Sequence, residues 1–233
     1  TYKGKKIISD AYDLRAFNII IICNLILIFT LLNFNISQTI NIFYSIIFIF
    51  IIYFLINFKK LKFSQKTNYF FLFFFIVLFI LSIDLSNNLT FFWDTQKIWF
   101  PKAIILYNGG SISDLQTTSY NHYSFLGSIL WAFFWKISSF EQEYFGRIFF
   151  LAIYCFALIN FLSLIKLKKK IKIILFLFLI LITYDYWHFR GTQEILVFSF
   201  LLILSKYLYK IITEKDKSLN LVFIFLSLNL IIW

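Results

Sequence analysis

The sequence predicts an all-α fold, a polytopic bundle of membrane helices. Two observations predict it. Of 233 residues, 61% are hydrophobic, and the mean hydropathy is +0.83. A soluble domain is about 45–50% apolar, so the excess faces something other than water. The apolar residues also fall in long unbroken runs, because the chain has one Pro and six Gly.

A spanning helix needs about 20 apolar residues. Six runs come close: Phe17–Phe34, Ile40–Phe58, Tyr69–Ile83, Ile148–Ile165, Lys172–Tyr184 and Ile195–Ile212. A seventh begins near Leu219. The chain has no Met and stops within an apolar run at Trp233. It therefore reads as one transmembrane domain, residues 1–233, from a longer membrane protein. The run after Arg15 lacks the small-residue site of a cleaved signal. The 34 Phe fit the Phe, Ile, Asn, Lys and Tyr bias of AT-rich coding and carry no functional message by themselves.

Charge orients the runs. Cytoplasmic loops are enriched in Lys and Arg. Lys3, Lys5, Lys6 and Arg15 put the N-terminus in the cytoplasm. Two crossings return the chain to Lys59, Lys60, Lys62 and Lys66 on the same side. A third leads outside, so residues 84–147 form an extracytoplasmic loop. The short run Ser124–Ser138 then decides the rest. If it crossed, the densest cluster, Lys166, Lys168, Lys169, Lys170 and Lys172, would lie outside. If it is interfacial, that cluster and Lys206, Lys210, Lys215 and Lys217 lie inside. The second arrangement puts 17 of 22 basic residues in the cytoplasm. Ser124–Ser138 is thus expected as an interfacial helix, with Trp131 and Trp135 at headgroup level. The lysine clusters are topology signals and anionic-lipid contacts, which excludes nucleic acid as the partner of the +11 net charge.

Loops this long in compact folds are usually functional. This one holds Phe91-Phe92-Trp93-Asp94-Thr95-Gln96-Lys97-Ile98-Trp99-Phe100-Pro101-Lys102-Ala103. Asp94 has two readings. Asp is a good helix N-cap, and Pro101 suits the first turn of a helix over 102–107, ended by Asn108-Gly109-Gly110. A carboxylate between Trp93 and Trp99 at the membrane surface is also placed to orient a substrate or accept its proton. Glu194 precedes a spanning run, either as a carboxylate favoured at a helix N-terminus or as a second site acid. Lys102, Arg147 and Arg190 are cations on the same predicted side; each is either an interfacial or paired charge or a phosphate contact. Cys23 and Cys155 lie in apolar runs without metal-ligand spacing. No cofactor is expected. The one set that could hold a divalent ion is Asp94, His122, Asp185, His188 and Glu194.

Trp93-Asp94, Trp99, Lys102-Ala103, Leu106-Tyr107 and Gly109-Gly110 resemble a pattern in bacterial GT-C glycosyltransferases. These are multi-pass enzymes related to protein O-mannosyltransferases and the aminoarabinose transferases of lipid A. Asn121-His122-Tyr123-Ser124-Phe125-Leu126 is similar to a following His and Tyr-Pro-Leu stretch, with Ser124 where the family has Pro. Gly146-Arg147 and Gly191-Thr192-Gln193-Glu194 are similar to later elements. The resemblance spans residues 91–194. It implies a GT-C type bundle in a bacterial inner membrane, taking a polyprenyl-phosphate-linked sugar from the lipid phase. The sugar would pass to an acceptor on the outer face. Asp94 would be catalytic, and Trp93, Trp99, Lys102, His122, Tyr123, Arg147, Arg190 and Glu194 would bind substrate. A transporter or flippase, and a polysaccharide polymerase or ligase, are the competing readings. No acid or base is expected mid-span, which counts against proton-coupled transport.

Overall fold

The computed structural model describes residues 11–57, 69–183, 190–213 and 218–233. Lys3, Lys5, Lys6, Lys59, Lys60, Lys62, Lys66, Asp185, His188, Lys215 and Lys217 lie outside the described residues. The described residues form helices and connections, without strands. The helices are α1 (Ala11–Leu31), α2 (Ile36–Asn57), α3 (Tyr69–Asn87), α4 (Phe100–Tyr107), α5 (Leu126–Ser138), α6 (Tyr144–Leu162), α7 (Lys169–Thr183), α8 (Glu194–Thr213) and α9 (Ser218–Ile232). Four of them, α1, α2, α6 and α8, are long and apolar enough to cross a membrane. This is the architecture of a helical membrane protein.

The predicted run Lys172–Tyr184 forms a helix that starts three residues earlier, at Lys169, and is still short for a crossing. Its helix, α7, has 15 residues, about 22 Å at 1.5 Å per residue, against about 30 Å of hydrocarbon.

Two polar residues inside α1 are satisfied locally. Asn24 Nδ2 donates to Ile20 O (2.8 Å) and Thr30 Oγ1 to Ile26 O (2.8 Å). The turn from α1 to α2 uses Asn33 at φ 69°, a conformation Asn adopts at helix ends. The α2 N-terminus is a reciprocal box: Gln38 N donates to Asn35 Oδ1 and Asn35 N to Gln38 Oε1, both 2.9 Å.

α6 is the central helix, flanked by α1, α3, α5, α7 and α8. α2 is peripheral and turns most of Ile47–Ile56 outward, as a lipid-facing helix does.

Contacts between distant residues set the directions. Phe17 meets Phe223, and Asn229 Nδ2 donates to Asn24 Oδ1 (2.7 Å), so α1 and α9 run parallel. The start of α1 meets the ends of α6 and α8. Asn160 Nδ2 donates to Tyr12 O (3.1 Å), Lys206 Nζ to Ser163 Oγ (2.6 Å), and Asp13 pairs with Lys206 (2.7 Å) and Lys210 (2.5 Å). The other end gathers the start of α6, the start of α8, the end of α9 and the whole of α4 and α5. There Phe125 N and Leu126 N both donate to Trp233 O.

α5 does not run the length of the bundle. It has 13 residues, about 20 Å. Its tryptophans differ from the expectation of headgroup anchors. Trp131 is fully buried and Trp135 nearly so. Their indoles donate to Glu143 O (3.0 Å) and Glu141 O (3.1 Å), tying α5 to the connection into α6. The backbone comes too close for any side chain where Trp131 lies: a Cβ on Gly146 would meet its ring and carbonyl at 2.5 Å.

Candidate active site

Seven of the nine predicted site residues lie on three neighbouring pieces of chain, Phe91–Phe100, Tyr120–Phe125 and Arg190–Glu194; Lys102 is on α4 and Arg147 on α6. Phe92 N donates to Arg190 O (3.4 Å), joining the first to the third. Gly191, at φ +85°, lies so close that a Cβ would strike Thr95 Cγ2 at 2.5 Å and the Trp131 ring at 2.8 Å. Gln193 fixes the third piece on α5. Its Oε1 accepts from Gly127 N (3.2 Å) and Ser124 Oγ (3.4 Å).

Asp94 sits at a break in helix geometry. It is helical (φ −60°, ψ −38°), and Thr95–Trp99 forms a turn of π-helix. The Phe100 N–H reaches back five residues to Thr95 O. Pro101 follows and has no N–H, so widening the turn there strands no donor from that residue. Single π-turns recur at functional sites. The Asp94 carboxylate caps nothing, which sets the helix-cap reading aside. It is partly exposed and makes no hydrogen bond or ion pair among the described residues. Two buried polar atoms on the same turn, Thr95 Oγ1 and Trp99 Nε1, also have no hydrogen-bond partner. Buried groups of this kind are rare.

Aromatic rings rim the carboxylate's segment. Trp93 is exposed and meets Tyr120 edge-on at 6.3 Å. Trp99 is buried and meets Tyr123 edge-on at 5.7 Å. His122 is exposed and packs on Tyr123 at 4.7 Å.

Lys102 is placed differently from the open phosphate contact expected of it. It is fully buried. Nζ donates to Tyr120 O (3.0 Å) and Tyr123 O (3.1 Å) and lies over the rings of Phe125 (4.9 Å) and Trp99 (5.5 Å). It therefore pins the loop that presents Tyr120, His122 and Tyr123. Tyr120 has φ 62°, uncommon for a bulky residue, and the ammonium holds its carbonyl. Burial pushes the Lys102 amine down to about 8.

The sign of the pH effect follows. Below about pH 8 both folded and unfolded chains are protonated at Lys102, and the buried charge costs the folded state. Between about 8 and the ordinary value of 10.5 only the unfolded chain holds the proton, so stability rises with pH. Thermal melts in detergent should show the wild type gaining on Lys102→Met across that window, by on the order of 2–3 kcal/mol. A flat difference would mean that water reaches the amine.

Arg147 is also committed within the fold. It is buried and donates to both Glu143 oxygens, Nε to Oε2 (3.0 Å) and Nη2 to Oε1 (2.6 Å). Its guanidinium lies over Phe91 (4.9 Å) and Trp131 (5.7 Å). Burial pushes the Glu143 carboxyl up, against the pull of Arg147. Arg147 thus joins α6 to the base of the Asp94 segment. Arg190 is partly buried, and its backbone carbonyl makes the contact to Phe92. Glu194 is exposed on the first turn of α8.

Sequence reasoning missed Glu143, Gln193, Thr95 and Tyr120. Glu143 carried a signal, its i,i+4 spacing to Arg147 on a helix. Gln193 carried none, because its partners lie 66 and 69 residues away. Among the described residues no three His, Cys, Asp or Glu side chains form a metal-sized cluster; two members of the conceivable set, Asp185 and His188, lie outside them.

Comparison with protein-family models, curated proteins and solved structures gives no match.

Proposed function

We propose that this chain is the membrane domain of a glycosyltransferase of GT-C type, transferring a sugar from a polyprenyl-phosphate carrier to an acceptor at the outer face of a bacterial inner membrane. One observation carries the reading. Asp94 lies between exposed Trp93 and buried Trp99 at the head of a π-turn, with its carboxylate making no hydrogen bond or ion pair among the described residues. The resemblance of residues 91–110 to that family's pattern supports it.

In this reading the acceptor hydroxyl attacks the anomeric carbon. The sugar C–O bond to the carrier phosphate breaks, and the electron pair leaves on the phosphate. Asp94 takes the hydroxyl proton. Aromatic faces at Trp93, Tyr120, His122 and Tyr123 contact the sugar and the carrier. Cations stabilise charge on the leaving phosphate. Arg190, whose backbone carbonyl meets the Asp94 segment at Phe92, is the candidate for that role by its position. No cofactor is assigned. The acceptor is a glycan, lipid or protein.

The orientation belongs to the same proposal. The lysine-rich end of the bundle is cytoplasmic, and the aromatic end is outside. A cysteine replacing the exposed Ser139 should be labelled by an impermeant thiol reagent added to intact cells. Labelling only after permeabilisation would invert the topology.

The reaction is tested with the protein in membranes and a radiolabelled pool of polyprenyl-phosphate sugars. Transfer of label to an acceptor supports the proposal. Movement of carrier or solute across the membrane without transfer would replace it with transport. That second reading draws on the charged group buried between α1 and α8 at Asp13, Lys206 and Lys210, since buried membrane charges often mark transport paths.

A further inference from the structure

At the lysine-rich end, a cavity of about 330 Å³ is lined by Ser163, Leu164, Lys166, Lys206, Tyr209, Lys210 and Thr213. Its size is within the range of small-ligand pockets, about 300–1,000 Å³. We propose that it binds the phosphate headgroup of an anionic phospholipid, a site separate from the transfer reaction and independent of it.

Charge favours an anion. Lys166, Lys206 and Lys210 bring three positive charges to the cavity. Asp13 is shared between Lys206 and Lys210 and removes one. The cavity also receives the C-terminal ends of α6 and α8, each worth about half a negative charge. The balance among the described residues is still positive, by about one charge. Of the lining hydroxyls, Ser163 and Thr213 donate to Asn160 O (2.6 Å) and Tyr209 O (3.0 Å), so the Tyr209 hydroxyl on α8 is the donor that joins the lysines. Lys206 is held rigid by Asp13 and Ser163, so the pocket wall is formed before anything binds. Lys166 and Tyr209 are exposed at its mouth.

Position favours a lipid over a soluble phosphate. The pocket lies at the ends of two helices apolar enough to cross a membrane, α6 and α8. Leu208 and Ile212 on α8 are exposed beside Tyr209. A polar, basic pocket next to an outward apolar face matches an amphiphile, with its headgroup on the lysines and its chains along the helix.

The test is a thermal melt of the chain in neutral detergent, titrated with phosphatidylglycerol, phosphatidylcholine or sodium phosphate. Lys166→Gln is compared with Lys170→Gln, which removes the same charge from an exposed lysine outside the cavity. Phosphatidylglycerol should raise the melting temperature of wild type and Lys170→Gln alike. In Lys166→Gln the half-effect concentration should rise roughly five-fold, the weight of one lysine at a membrane surface. Equal weakening in both variants would reduce the site to diffuse attraction and overturn the proposal. So would equal stabilisation by phosphatidylcholine, or none by phosphatidylglycerol. Stabilisation by sodium phosphate matching that of phosphatidylglycerol would assign the pocket to a soluble phosphate instead.

Discussion

Asp94→Asn leaves the bundle folded and removes transfer. The side chain keeps its shape but can no longer accept a proton. Losing a positioned base costs typically 10²–10⁴-fold in rate, and a transfer assay in membranes should fall by roughly that factor. Stability should stay within about 0.5 kcal/mol of wild type, because the carboxylate caps no helix and makes no bond among the described residues. These two readouts separate a chemical role from a structural one. A well-expressed Asp94→Asn protein with full activity would sink the assignment. A large drop in melting temperature would show that Asp94 holds the π-turn together.

Asp13→Asn is the converse case, a large loss of stability at the far end of the bundle. Asp13 is 3% exposed and Lys206 is 1% exposed. The carboxylate accepts from Lys206, Lys210 and Tyr207 (3.1 Å), fastening the start of α1 to the end of α8. Substituting Asn leaves a buried ammonium without its counter-charge. Breaking such a pair from one side costs about 3–5 kcal/mol, read as a lower melting temperature in detergent. Adding Lys206→Met should recover much of the loss, since replacing both charges by apolar packing is often near neutral. A mild effect of Asp13→Asn alone would mean that Lys206 draws solvation from water in the adjoining cavity.

The sequence by itself determined which segments become helices. Burying apolar side chains away from water is a property of each run, so α1, α2, α6 and α8 are legible one residue at a time. Length also separated Ser124–Ser138 from the long helices. Pro101 and the Asn108-Gly109-Gly110 stop marked α4 through local backbone preferences. The clustering of Trp93, Asp94, Trp99, Lys102 and His122 was partly legible, because most of their spacings are short.

Only the tertiary structure decided what the charges do. Lys206 and Lys210 look like markers of a membrane side. With Asp13 they form an internal charged trio because residues nearly 200 positions apart pack together. Lys102 and Arg147 look like open cations and prove to be fasteners, one of a loop and one of a helix start. Trp131 and Trp135 look like interface anchors and are core. The reason is physical: a transfer free energy can be assigned to a residue from its type, but the partner that makes burial of a charge or an indole N–H tolerable is supplied by another segment. Gly146 and Gly191 show the same dependence, since each is small to make room for Trp131, a ring whose place is known only once the helices have met.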